Sequence, residues 1–237
     1  MIQNSKYRYV IPNFVTFTSL ACGVVSIIAA GSGDLMLAGI LILASYVLDL
    51  LDGELARRLD AGTDFGLQLD SLTDLVSLGA APAMLAYFHL TAEGNVPVPV
   101  LGPAIVIYVL AGAYRLARFN LLPVKEGQTD SVGLTISTSG ATLALAVLSD
   151  IVNTGEVIHN GFFIPLLVIL SLLMVSRISY PSVVWVFSRR WANFLYMVYF
   201  VTTLVLLQLS FFHVWFLFNS GYLSAALVRA GYHVIEE

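Results

Sequence analysis

Between residues 49 and 74 an apolar chain concentrates acid: Asp49, Asp52, Asp70 and Asp74, with Arg57 between the two pairs. Asp49 and Asp52 are three residues apart, and Asp70 and Asp74 are four apart. Both spacings put a pair on one face of a helix. Gly62 and Thr63 fall between the two stretches, so an antiparallel hairpin can bring the two faces together. Four carboxylates converging in a low-dielectric setting repel one another strongly unless compensated. Divalent cations resolve that repulsion. The stretch offers only hard oxygen donors, with no His or Cys, which suits Mg²⁺ or Mn²⁺ and not Zn²⁺. Two such ions held by four carboxylates stabilise the attacking and leaving oxygens in phosphoryl transfer. Gly53 and Ala56 remove bulk on or beside the Asp49/Asp52 face, either for close helix packing or for the approach of a flat ligand. Arg57 can fork onto a phosphate, and Gly66 offers a second close approach.

The setting of these residues is a membrane. Of 237 residues, 58% are hydrophobic and 11% charged, against about 25% charged in a soluble domain. The net charge of −4 and the lack of any polybasic block argue against a nucleic-acid partner. A single cysteine, Cys22, excludes an internal disulfide framework. Lys6 and Arg8 precede an apolar run with no convincing small-residue cleavage site, so that run reads as a retained span rather than a signal peptide.

The reading is of eight apolar segments, at roughly 11–31, 36–60, 66–90, 100–119, 132–152, 161–178, 190–208 and 210–229. Turn formers separate several of them, as in Gly31-Ser32-Gly33-Asp34 and Asn153-Thr154-Gly155. With eight spans, all 11 Lys and Arg fall on one side. That side is expected to be the cytoplasm, with both termini and the turn of the Asp49–Asp74 hairpin on it.

Written as D-x2-D-G-x2-A-R-x8-G-x3-D-x3-D, the acidic stretch resembles the signature of the CDP-alcohol phosphotransferases at every defining position. The resemblance implies an all-α integral membrane protein with a six-helix core, a homodimer, and attack by an alcohol on a CDP-linked lipid with CMP leaving. It implies two metals, Mg²⁺ or Mn²⁺, held by Asp49, Asp52, Asp70 and Asp74, with Asp74 also acting as base. Gly53, Arg57 and Thr63 match positions that contact the CDP moiety, and Ala56 and Gly66 belong to the same cradle. Pro12-Asn13-Phe14-Val15-Thr16 resembles the P-N-x-x-T before the first core helix of the family, where Asn13 and Thr16 would reach the nucleotide. The alternative is a helix start with Pro in its first turn and a Thr bonding its own helix. On the family pattern, residues 1–180 form the membrane core and 181–237 a C-terminal extension of about two spans.

The acceptor has to be read elsewhere. Arg115 and Arg118 share a helix face next to Asn120, where they can hold a carboxylate or a phosphate, or serve as membrane-interface anchors. The stretch G-x-Y-R-L-A-R-F-N at 112–120 resembles the phosphatidylserine synthase branch, as do residues 12–27 and Leu69-Asp70-Ser71-Leu72-Thr73-Asp74. That resemblance implies L-serine as acceptor, bound by Arg115, Arg118 and Asn120, and phosphatidylserine or its archaetidyl counterpart as product. Glycerol 3-phosphate or inositol phosphate remains an alternative acceptor. A cation-coupled transporter is the alternative outside the class, though repeated halves and broken helices are not visible. Ser137, Thr138 and Ser139 either line the acceptor pocket or bond within the helix bundle. His89, His159, His213 and His233 are scattered and carry no expected metal or catalytic role.

Overall fold

A computed structural model of the chain describes residues 9–59, 62–92, 94, 96–121, 130–152, 160–181, 212–217, 219–221 and 223–224. Helix α1 (Val10–Gly31) and helix α2 (Leu35–Leu59) form an antiparallel hairpin. The link between them turns through Gly33 at φ +89°, and the Asp34 carboxylate accepts the Leu37 N–H to start α2. Hydroxyls stitch the seam. Ser26 donates to the Ala38 carbonyl at 2.9 Å, and Ser45 donates to the Ser19 carbonyl at 2.9 Å. Between apolar helices in lipid, such bonds and small-residue contacts supply the association that hydrophobic burial cannot.

The third crossing, Asp64–Ala92, is 29 residues long. It comprises helix α3 (Asp64–Asp74), a π-helical segment (Leu75–Ala80) and helix α4 (Ala81–Ala92). Thr63 caps its start, accepting the Gly66 N–H at 3.0 Å, and Asp64 in the first turn suits the helix dipole. Helix α5 (Val98–Leu121) returns to the same end as the start of α3. Helix α6 (Ile136–Val152) is the centre of the bundle and is buried continuously from Ile136 to Asp150. Helix α7 (Phe163–Val175) closes against α5 and α6.

Strand β1 (Asp130–Val132) pairs antiparallel with β2 (Ser179–Pro181). This small ribbon explains why α6 starts later and α7 ends earlier than the expected spans at 132 and 178. Gly133, at φ +79°, makes the turn from β1 toward α6. The expected core boundary at residue 180 falls inside β2.

Among the described residues, four stretches are long and apolar enough to cross a membrane: Val10–Gly31, Leu35–Ala56, Asp64–Ala92 and Val98–Leu121. Helices α6 and α7 are shorter and apolar. Large apolar side chains such as Phe14, Ile28, Leu110 and Leu172 face outward, as a lipid-facing surface requires. The protein is an all-α, multi-pass membrane protein. The expected span at 190–208 lies outside the described residues. Of the expected span at 210–229, residues 212–217 are helical, and His213, Val214 and Phe216 are buried.

Candidate active site

The end of α2 and the start of the third crossing meet at one end of the bundle. Asp49, Asp70 and Asp74 each bring a carboxylate oxygen there, and the three oxygens lie within 4.8 Å of one another. The i, i+4 spacing of Asp70 and Asp74 on α3 is what aims both at α2. Asp74 is buried, and its Oδ1 has no hydrogen-bond partner among the described residues. A buried oxygen left unbonded within a like-charged cluster is costly. An oxygen-only donor set of this kind fits a hard divalent cation.

Asp52 is held apart from this trio. It is buried and takes a 2.7 Å hydrogen bond from Thr16 of α1. Thr16 also reaches the Pro12 carbonyl, at 3.1 Å. Its hydroxyl therefore bonds its own helix, and it also joins α1 to the acidic end of α2 through Asp52.

Arg115 of α5 is the buried cation that acts on Asp74, Asp49 and Asp70, with its guanidinium 5.3 Å from the Phe119 ring centroid. Arg118, three residues on, is placed quite differently. Its guanidinium donates to the carbonyls of Val132 (2.8 Å), Val175 (2.9 Å) and Ser176 (3.1 Å). It thereby caps the end of α7 and ties it to β1. Asn120 donates to the Ser71 hydroxyl at 2.9 Å, joining α5 to α3. Of the three expected acceptor contacts, Arg115 interacts with the aspartates, Asn120 bonds the residue next to Asp70, and Arg118 bonds backbone carbonyls.

Three of the expected nucleotide contacts lie together beside α1. A side chain at Gly66 would come within 3.4 Å of Asn13 Oδ1 and 3.1 Å of Thr63 Oγ1, so Asn13, Thr63 and Gly66 are neighbours. Gly53 and Ala56 lie on the part-exposed end of α2. The side chain of Arg57 lies outside the described residues. Glu54 pairs with exposed Arg58 at 2.6 Å, as solvated surface charges do.

The hydroxyl cluster of α6 divides. Ser137 is within hydrogen-bonding reach of Asp49. Thr138 meets Thr135 at 2.8 Å and Tyr46 of α2. Ser139 turns away and donates to the buried Tyr108 hydroxyl at 3.0 Å. Tyr46 and Thr135 had no signal in the sequence beyond being polar positions in apolar runs, and Ser71 was noted only as part of the stretch 69–74. At the opposite end of the bundle, His89 of α4 and Asp150 of α6 form a buried pair at 2.8 Å. The nearby Ser149 bonds His213.

The family pattern of the CDP-alcohol phosphatidyltransferases matches residues 9–175. The chain is 34% identical over 178 residues to a CDP-diacylglycerol–serine O-phosphatidyltransferase of Helicobacter pylori, covering 73% of each chain. It is 33% identical over 181 residues to an archaetidylserine synthase of Methanothermobacter thermautotrophicus, covering 73% of this chain and 70% of the relative. With a CDP-diacylglycerol–serine O-phosphatidyltransferase of Bacillus subtilis it shares 32% over 177 residues, covering 72% and 89%. The matched region contains the whole acidic site and the helices that hold it, and on this ground the chain belongs to the CDP-alcohol phosphatidyltransferase family.

Proposed function

We propose that this protein transfers a phosphatidyl or archaetidyl group from a CDP-linked lipid to L-serine, giving the serine phospholipid and CMP. The observation that carries the reading is the Asp49–Asp70–Asp74 cluster with Arg115 set against it. Relatives named for the serine reaction support the acceptor.

When bound, two divalent cations, Mg²⁺ or Mn²⁺, on Asp49, Asp52, Asp70 and Asp74 would offset the charge of the pyrophosphate. The remaining work belongs to the chain. Asn13, Thr16, Gly53, Ala56, Arg57, Thr63 and Gly66 hold the CDP moiety. Asp74 accepts the proton of the serine hydroxyl. The serine oxygen forms a bond to the phosphorus that bears the lipid, and the bond from that phosphorus to the CMP oxygen breaks. Arg57 meets the charge that develops on departing CMP.

Arg115 holds the serine carboxylate. It is the one cation that acts on the three aspartates among the described residues, and Arg118 is occupied by backbone carbonyls. One guanidinium matches a carboxylate; a phosphorylated acceptor calls for more positive charge. Arg118 and Asn120 then serve the acceptor site indirectly, by holding α7, β1 and α3 around it.

In this reading residues 1–180 form the catalytic core and 181–237 an extension. The protein works as a homodimer in the cell membrane, with both termini and the site on the cytoplasmic side. The test is purified protein with CDP-lipid, divalent metal and a panel of labelled alcohols. Metal-dependent CMP release with label from serine in the lipid product is expected. Label from glycerol 3-phosphate or inositol phosphate, and none from serine, would overturn the acceptor. Cation movement without CMP release would overturn the enzyme.

A further inference from the structure

The third crossing changes its helical form at the residue after Asp74. From Leu75 to Ala80 it is a π helix, and the Ala81 N–H reaches back five residues to the Val76 carbonyl. Wide turns of this kind are rare and are held in place by what surrounds them. Here two neighbouring helices press on the turn through glycines. Gly23 of α1 lies so close to Ser77 that an added Cβ would stand 2.6 Å from its Cα. Gly140 of α6 lies against Leu78, where an added Cβ would overlap the carbonyl oxygen and stand 2.9 Å from its carbon. The Ser77 hydroxyl completes the clamp, donating to the Ser19 carbonyl of α1 at 3.0 Å.

The clamp is one helical turn from the chemistry. Ser137, three residues before Gly140, shares its face of α6 and is within reach of Asp49. Leu75, the first residue of the wide turn, directly follows Asp74. The depth at which α6 seats on the Leu78 carbonyl therefore sets two things together: the gap between Ser137 and the acidic site, and the backbone that carries Asp74.

We propose that Gly140 and Ser77 are positioning residues that clamp the π segment between α6 and α1, and so hold Asp74 in ligating register with Asp49 and Asp70. This rests on the reading of the aspartates as a divalent-cation site. Neither residue touches the reacting atoms; each acts through the backbone of the wide turn.

The test is Mn²⁺ binding to the purified full-length protein in lipid nanodiscs, followed by electron paramagnetic resonance, with a thermal melt in metal-free buffer. Gly140→Ala is expected to weaken Mn²⁺ binding about tenfold, the cost typical of losing a group that orients a metal ligand. Ser77→Ala adds no bulk, and its loss of one hydrogen bond is expected to weaken binding about fivefold. Gly102→Ala, with nothing within 4 Å of the added atom, is expected to bind as wild type does. In turnover the clamp variants should raise the metal concentration needed for half-maximal rate more than they lower kcat at saturating metal. If Gly140→Ala does not fold, Ser77→Ala decides alone. Wild-type Mn²⁺ affinity in a folded Ser77→Ala or Gly140→Ala protein overturns the proposal. Absence of Mn²⁺ binding by the wild type would instead overturn the metal reading beneath it.

Discussion

Thr16 donates its hydroxyl to Asp52 across 2.7 Å, tying the first membrane helix to the acidic end of the second. Both side chains are buried. Thr16→Val keeps the shape and deletes the donor, leaving a buried carboxylate without it. A hydrogen bond to a charged group contributes about 1.5–3 kcal/mol, so kcat/KM for CDP-lipid should fall by about tenfold or more. Thr16→Ser should restore most of it. Equal kinetics in wild type and Thr16→Val would show that the bond does not serve the site.

Asp74 is both the most enclosed of the clustered aspartates and the proposed base. Asp74→Asn preserves volume while removing the charge and the proton acceptor. Turnover at saturating metal and both substrates is expected to fall by at least about 100-fold, the lower range for loss of a general base. The measurement is CMP release under those conditions, and near wild-type turnover would remove Asp74 from the mechanism.

The two arginines of α5 should separate when assayed side by side. Arg115→Lys keeps a positive charge near the aspartates but loses the planar fork. It is expected to raise KM for serine by about tenfold, with little change in melting temperature. Arg118→Ala strips one partner from the carbonyls of Val132, Val175 and Ser176. It is expected to cost about 2 kcal/mol of stability, with KM for serine less affected. Thermal melts in detergent alongside serine titrations distinguish the two, and a serine-specific KM defect in Arg118→Ala would return that residue to the acceptor site.

These contrasts show where a linear reading stops. The aspartates were legible because charge is expensive in an apolar chain, and their three- and four-residue spacings imply one face without any tertiary knowledge. The four helices long enough to cross a membrane were legible from apolar length, and the shorter apolar helices α6 and α7 fall within two further apolar segments of the sequence. Arg115 and Arg118 were not separable, since they share a helix face and a residue type. Their fates are decided by the ribbon of residues 130–132 and 179–181, a pairing between segments far apart in the chain. The π segment contains one glycine, Gly79, and Pro82 just beyond it has no N–H to give the Leu78 carbonyl, but these residues alone do not specify a wide turn. It depends on contacts from Gly23 and Gly140, which lie on two other helices. The link between Thr16 and Asp52 likewise joins residues 36 positions apart.

The His89–Asp150 pair offers a test of what the far end of the bundle does. Both groups are buried, and they meet at 2.8 Å between α4 and α6. The aspartate cluster lies at the other end of these helices, so the pair bears on how the bundle is held together rather than on the chemistry. His89→Leu removes the partner and leaves the buried Asp150 carboxylate without it. Breaking a buried pair in this way costs about 3–5 kcal/mol. The expected result is a large drop in melting temperature, with serine and CDP-lipid KM nearly unchanged in the protein that remains folded. Replacing both partners, as in His89→Leu with Asp150→Leu, removes the stranded charge as well and should recover much of the lost stability. Thermal melts of the single and double variants measure this directly. If the double variant is no more stable than His89→Leu alone, the loss comes from packing against Phe163, whose ring meets His89 edge-on at 5.7 Å, and not from an uncompensated carboxylate.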